Sequence, residues 1–131
     1  MGKQRVTGIG GIFFKSKDPA TLHKWYADML GVDQAWEHGA MFPWFESGPD
    51  GVGPSAYTAW SIFPDSTKYM EPGTADFMVN YRVKDLHAML DQLRESGVRV
   101  DSKVEESEFG KFGWVFDPDG NKIELWEPPS E

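Results

Sequence analysis

A single carboxylate sits in the middle of an apolar strand near the end of this chain. The run Lys122-Ile123-Glu124-Leu125-Trp126 alternates, so Ile123 and Leu125 share one face while Glu124 looks out of the other with Lys122 and Trp126. A buried, unpaired carboxylate is costly, so the position calls for an arginine, a metal or a wet cavity. A structural ion pair with Arg82 or Lys122 would lower the carboxyl pKa. An apolar site with no partner would raise it and make Glu124 a usable general base. Asn80 and Tyr57 are of the types that orient a substrate carbonyl or hydroxyl by hydrogen bonding.

Other chemistries are poorly supplied. The chain has no cysteine, which excludes disulfides, thiolate metal sites and a cysteine nucleophile. Of the three histidines, His23 and His87 fall on predicted helices and read as solvent-facing. His38 stands beside Glu37 and near Glu46, but neighbouring strand residues point to opposite faces, so Glu37 and His38 do not readily share an ion. No His-Glu-x-x-His and no serine–histidine–carboxylate arrangement is readable. Asp117-Pro118-Asp119-Gly120-Asn121 opens like a calcium loop, but Pro128 stands where its terminal glutamate belongs, and the segment reads as a hairpin turn. Gly8-Ile9-Gly10-Gly11 leads into a strand rather than a helix, so it is no dinucleotide fingerprint.

Around the carboxylate the chain repeats itself. Asp18, the helical pattern through Leu22, Trp25, Tyr26, Met29 and Leu30, and the exit Gly31-Val32 are echoed by Asp85, Leu86, Met89, Leu90, Leu93 and Gly97-Val98. The aspartates read as N-caps, Pro19 suits a first helical turn, and the glycines suit the left-handed position that closes a helix. The predicted order is strand 7–15, helix 19–30, strands 33–38, 41–46 and 56–63, then strand 75–83, helix 86–96, and strands 98–104, 111–117 and 121–127. Segments 47–55 and 64–74 are loops by composition.

Length and charge bound the rest. At 131 residues the chain buries a useful core but leaves no room for two independent domains. A single domain over 1–131 is expected, with one module over about 5–64 and another over about 75–128. A net charge of −8 argues against nucleic acid, and no apolar run reaches membrane-spanning length. The N-terminus carries no apolar signal region, so a cytoplasmic location is the default.

The segment 117–125 and the two strand–Asp–helix–Gly units together resemble the vicinal oxygen chelate superfamily, which includes glyoxalase I, bleomycin-resistance proteins and extradiol dioxygenases. The resemblance implies an α+β fold of two βαβββ modules whose mixed sheets curl around a central cavity, commonly as a homodimer. It also implies a divalent metal held by one residue from the first strand and one from the last strand of each module. Carried over, the first-strand positions are Gly11 and Met78, the last-strand position of the second module is Glu124, and its counterpart falls in Thr58–Trp60. Neither glycine nor methionine suits a hard cation, so one ligand of four is present.

Strand parity then lists what lines the cavity. If Gly11 and Glu124 face inward, so do Phe13, Met78, Asn80, Arg82, Lys122 and Trp126, while Ile12, Phe14, Val79, Tyr81 and Val83 meet the helices. Trp44, Tyr57, Trp60, Trp114 and Phe116 are further aromatic candidates. The expected ligand contacts are Phe13, Tyr57, Trp60, Met78, Asn80, Arg82, Trp114 and Trp126, with Glu124 as the catalytic candidate. The expectation is a protein that binds a small organic molecule without a tightly held metal. The alternatives are a metal-dependent lyase, isomerase or dioxygenase using Glu124 as a ligand, and a metal-free enzyme using Glu124 as general base.

Overall fold

The structure is a computed structural model that describes residues 3–45 and 55–130. Its elements run β1 (Val6–Ser16), α1 (Pro19–Leu30), β2 (Gly39–Phe45), β3 (Ser55–Pro64), β4 (Phe77–Val83), α2 (Leu86–Glu95), β5 (Val100–Ser107), β6 (Gly110–Phe116) and β7 (Lys122–Glu127). The strands form one mixed sheet in the order β2-β3-β1-β4-β7-β6-β5. Each module contributes a parallel pair, β1 with β3 and β4 with β7. The modules join where β1 runs antiparallel to β4, with Gly11 opposite Asn80 and Phe13 opposite Met78. Among the described residues the sheet is open, with β2 and β5 at its ends.

The helices start and stop for local reasons. Asp18 accepts from the Thr21 backbone N–H and hydroxyl, Pro19 opens α1, and Gly31 closes it at φ 70°. Asp85 accepts from the Ala88 N–H, and Gly97 follows α2 at φ 80°. The Asp117 carboxylate accepts from Asp119, from the Asn121 backbone and from the Asn121 side chain, and these bonds hold it below the usual carboxylate range. The segment is therefore a self-capped hairpin turn that aims β7 back along β6.

Three expectations need correction. Residues 33–38 do not form a strand. The Ala35 and Trp36 N–H groups both donate to the Gly39 carbonyl and the Gly39 N–H returns to Trp36, so the backbone closes on itself in a turn with one isolated bridge. The first module is thus one strand short of the second among the described residues. The stripe on α1 is also rotated from its expected setting: Met29 is 66% exposed, Leu30 62% and Trp25 about half, while His23 is buried. The His23 and Tyr26 rings pack on Trp60, so the histidine expected in solvent lies against the sheet. Glu46 and most of the expected loop 47–55 lie outside the described residues.

The two faces of the sheet differ in kind. Between α2 and the sheet, Val83, Leu86, Met89, Leu90, Val115 and Leu125 form an aliphatic core joined by Tyr81 and Ile123. On the face away from the helices, Phe13, Met70, Met78 and Trp114 form a second cluster joined by Phe63, Tyr69 and Phe112. Residues 64–76, which connect the modules, cross this second face. Among the described residues no helix is long and apolar enough to cross a membrane.

Leu90 is 1% exposed. Leu90→Ala is expected to cost about 2–5 kcal/mol in urea unfolding through the cavity it leaves. Leu30→Ala is expected to fall within about 0.5 kcal/mol of the parent. A comparable loss at Leu30 would mean that α1 seats its predicted stripe after all.

Candidate functional site

Glu124 is 2% exposed on the face opposite the helices. Three neutral donors hold it. Its Oε1 accepts from the Tyr69 hydroxyl and from Trp114 Nε1 at 3.1 Å, and its Oε2 accepts from Asn80 Nδ2 at 2.6 Å. The sheet sets two of these donors, because Asn80 and Trp114 lie directly opposite Glu124 on the strands either side of β7. Burial pushes the carboxyl pKa up, and the bonds from Tyr69, Asn80 and Trp114, with the Lys122 charge, pull it partway back. The Tyr69 hydroxyl is pushed well above its ordinary range, first by burial and then by the facing carboxylate.

Lys122 belongs to the same site. Its Nζ donates to the Tyr69 carbonyl at 2.7 Å and lies 5.3 Å from the Tyr69 ring centre and 5.5 Å from that of Trp114. Burial draws its pKa down. A second group lies along the same face. The Arg82 guanidinium stands 5.4 Å from the Trp44 ring and 5.2 Å from the Trp126 ring, both at cation–π distance. Tyr57 meets Trp126 at 5.6 Å, and Phe112 stacks on Trp126 at 6.1 Å. The site is therefore an acid with three donors beside a cation held between indoles.

The structure brings most of the candidates together. Phe13, Met78 and Trp114 share one cluster, Asn80 and Trp114 touch Glu124, and Tyr57, Arg82 and Trp126 form the flanking group. Trp60 is the exception. It lies opposite Ile12 on the helix face, packed on Phe14, His23 and Tyr26, one residue out of phase with its neighbours Ala59 and Ser61. The counterpart of Glu124 also moves. Phe13 and Asn80 each precede their capping aspartate by five residues. Phe13 pairs with Ser61 as Asn80 pairs with Glu124, so the matching residue is Ser61 rather than one of Thr58–Trp60.

Tyr69 and Met70 were not legible as site residues. They sit in a stretch whose proline, charge and glycine content reads as loop, and the aromatic–methionine pair was its only inward signal. The divalent metal implied by the resemblance does not fit these residues. Gly11, Met78 and Ser61 offer no anionic ligand beside Glu124, whose oxygens already accept three neutral donors. Among the described residues no group of three or more His, Cys, Asp or Glu could hold an ion.

Residues 11–126 match the model of the glyoxalase-like domain, and the chain belongs to that family. Its fold is that of the vicinal oxygen chelate superfamily. The chain is similar to methylmalonyl-CoA epimerase from Mycobacterium tuberculosis, with 22% identity, a TM-score of 0.63, and 99% of this chain covered against 93% of that one. It is similar to a variant of the Streptomyces coelicolor epimerase in complex with 2-nitronate-propionyl-CoA, at 16% identity and TM-score 0.68, covering 96% of this chain and 100% of that one. A glyoxalase/bleomycin resistance protein/dioxygenase superfamily member from Vibrio splendidus matches at 14% identity and TM-score 0.56, covering 95% and 99%. No curated protein matches the sequence.

The raised carboxyl has a pH consequence. Burial lifts the folded pKa above its ordinary value of 4.5, so the folded protein holds this proton to higher pH than the unfolded chain does. The stability from that proton is full below the unfolded value and is lost as pH rises through the folded one. Glu124→Gln removes the titration. Among the described residues Asn80 Oδ1 is buried with no partner, against Gly10, while its Nδ2 faces the carboxylate. The stability of Glu124→Gln relative to the parent is expected to increase from about pH 4 to about pH 8 in urea unfolding. A difference that stays flat with pH would show that Glu124 titrates alike in both states.

Proposed function

We propose that this chain binds a small organic molecule on the sheet face opposite the helices, over Glu124, without a tightly held metal ion. The observation that carries the reading is the company of Glu124: a buried carboxylate held by the Tyr69 hydroxyl, the Asn80 amide and the Trp114 indole, rather than by a set of metal ligands. Phe13, Met78 and Trp114 supply apolar wall beside it, and Tyr57, Arg82 and Trp126 extend the surface to one side. Apolar walls with a few convergent polar groups are what small-molecule sites are made of. Glu124 fixes the orientation of a ligand that brings a hydrogen-bond donor, and the indoles bind its flat part.

Burial of the carboxyl favours a second reading on the same geometry. With its pKa raised, Glu124 is a stronger base than a surface glutamate. It would take a proton from the carbon beside a ligand carbonyl, with Asn80 and Trp114 holding the carboxylate in place. Incubation of small carbonyl compounds in deuterium oxide tests this: exchange at that carbon is expected with the parent and not with Glu124→Gln. A homodimer belongs to the same proposal, because the edge strand β2 carries exposed Met41 and Phe42 that a second copy would cover.

Two measurements test the binding reading. Tryptophan quenching by a panel of aromatic antibiotics and small carbonyl compounds is expected to find a ligand, and Glu124→Gln is expected to weaken it by roughly 10–100-fold, the worth of a hydrogen bond to a charged group. After loading with nickel, zinc, iron or manganese and removal of free ions, the protein is expected to retain far less than one metal per chain. Near-stoichiometric retention would overturn the metal-free reading.

A further inference from the structure

We infer that the slot filled by the Tyr69 ring is a binding site for a phenolic ring, with Tyr69 as the chain's own occupant. The inference rests on the binding reading above and names its ligand class. The slot is built by the sheet: Phe63 stacks on the Tyr69 ring at 5.7 Å and 24°, and Trp114 meets it edge-on at 6.2 Å and 89°. The Lys122 ammonium lies over the ring, and Phe13 continues the wall behind Phe63 at 5.5 Å. At the end of the slot stands Glu124, accepting a hydrogen bond from the hydroxyl. Flat aromatic walls, a cation over the ring and an acceptor at the hydroxyl are the contacts by which a protein recognises a phenol.

The occupant does not come from the sheet. Tyr69 lies on the connection between modules, most of which is exposed, and only Met70 beside it is fully buried, at 1%. The ends of the connection are tied outside the slot, where the Asp65 N–H donates to Ser16 and the Lys15 N–H donates to the Asp76 carbonyl. Between those ties the bonds from Tyr69 to Glu124 and from Lys122 to the Tyr69 carbonyl, with the burial of Met70, hold the loop down. An incoming phenol reproduces the side-chain contacts of Tyr69, so exchange costs little beyond lifting the loop. A ring without a hydroxyl leaves Glu124 one donor short, which is the basis of selection.

The test compares p-cresol with toluene on the full chain, read by tryptophan fluorescence. Tyr69→Ala empties the slot and is expected to bind p-cresol at least about tenfold tighter than the parent, since no internal occupant competes. Toluene is expected to bind that variant about tenfold more weakly than p-cresol, the worth of the missing hydrogen bond. Tyr69→Phe keeps the slot filled and is expected to gain less than Tyr69→Ala. Equal affinity of parent and Tyr69→Ala for p-cresol, or equal affinity of Tyr69→Ala for both compounds, would overturn the proposal. Should Tyr69→Ala fail to fold, the parent decides: p-cresol, and not toluene, is expected to speed tryptic cleavage after Lys68 by lifting the loop. Unchanged cleavage under saturating p-cresol would overturn it equally. If other compounds bind in a Glu124-dependent way while p-cresol does nothing, the slot fails and the wider binding reading stands. If no compound binds in that way, both fail.

Discussion

A carboxylate taken out of water must be given partners, and the arrangement of this face follows from how Glu124 is given them. Desolvating an unpaired carboxylate costs more than a small domain can spare. Here the partners are neutral donors rather than one strong counter-charge. Two come from flanking strands at the same level, and the third comes from a loop brought across the sheet. The loop's other inward residue, Met70, fills the apolar space beside it. Local polar need and local packing therefore converge on one segment, which is why a connection that looks like a spacer is tied down in its middle.

The result is an acid whose state is balanced rather than fixed. Burial favours the neutral form, while the three donors and the nearby ammonium favour the charged one. A buried ion pair would have settled the question toward charge. The Arg82 guanidinium on this face stands at cation–π distance from two indoles. Keeping the cation and the acid in separate surroundings leaves two distinct handles along one surface.

Much of the fold was legible because it is written in short-range rules. The aspartate caps, the glycine exits and the alternation of β4 and β7 fixed both helices and the facing of Asn80, Arg82, Glu124 and Trp126 before any pairing was known. What was illegible depends on partners distant in the chain. Trp60 sits in a run, Ala56 to Phe63, apolar enough on both faces that alternation alone could not assign it; only the pairing with β1 does. His23 looked like a solvent residue because its helical neighbours formed a better stripe, but Trp60 and Phe14 offered aromatic surface to the other side of α1. Residues 33–38 have strand-like residues but bond to Gly39 in a turn, a choice that one hydrogen-bond acceptor makes. Tyr69 carries no local sign of the carboxylate 55 residues away.

The seam between the modules divides labour unequally. Among the described residues, every donor to Glu124 comes from the connection or from the second module. The first module brings aromatic surface: Phe13, Trp44, Tyr57 and Phe63. The half that sets the charge of the site is thus separate from the half that sets much of its outline. Substitutions in the first module can reshape the wall while leaving the acid's hydrogen bonds in place. The outline of this face and the hydrogen bonding of its acid are therefore set by residues that can change independently.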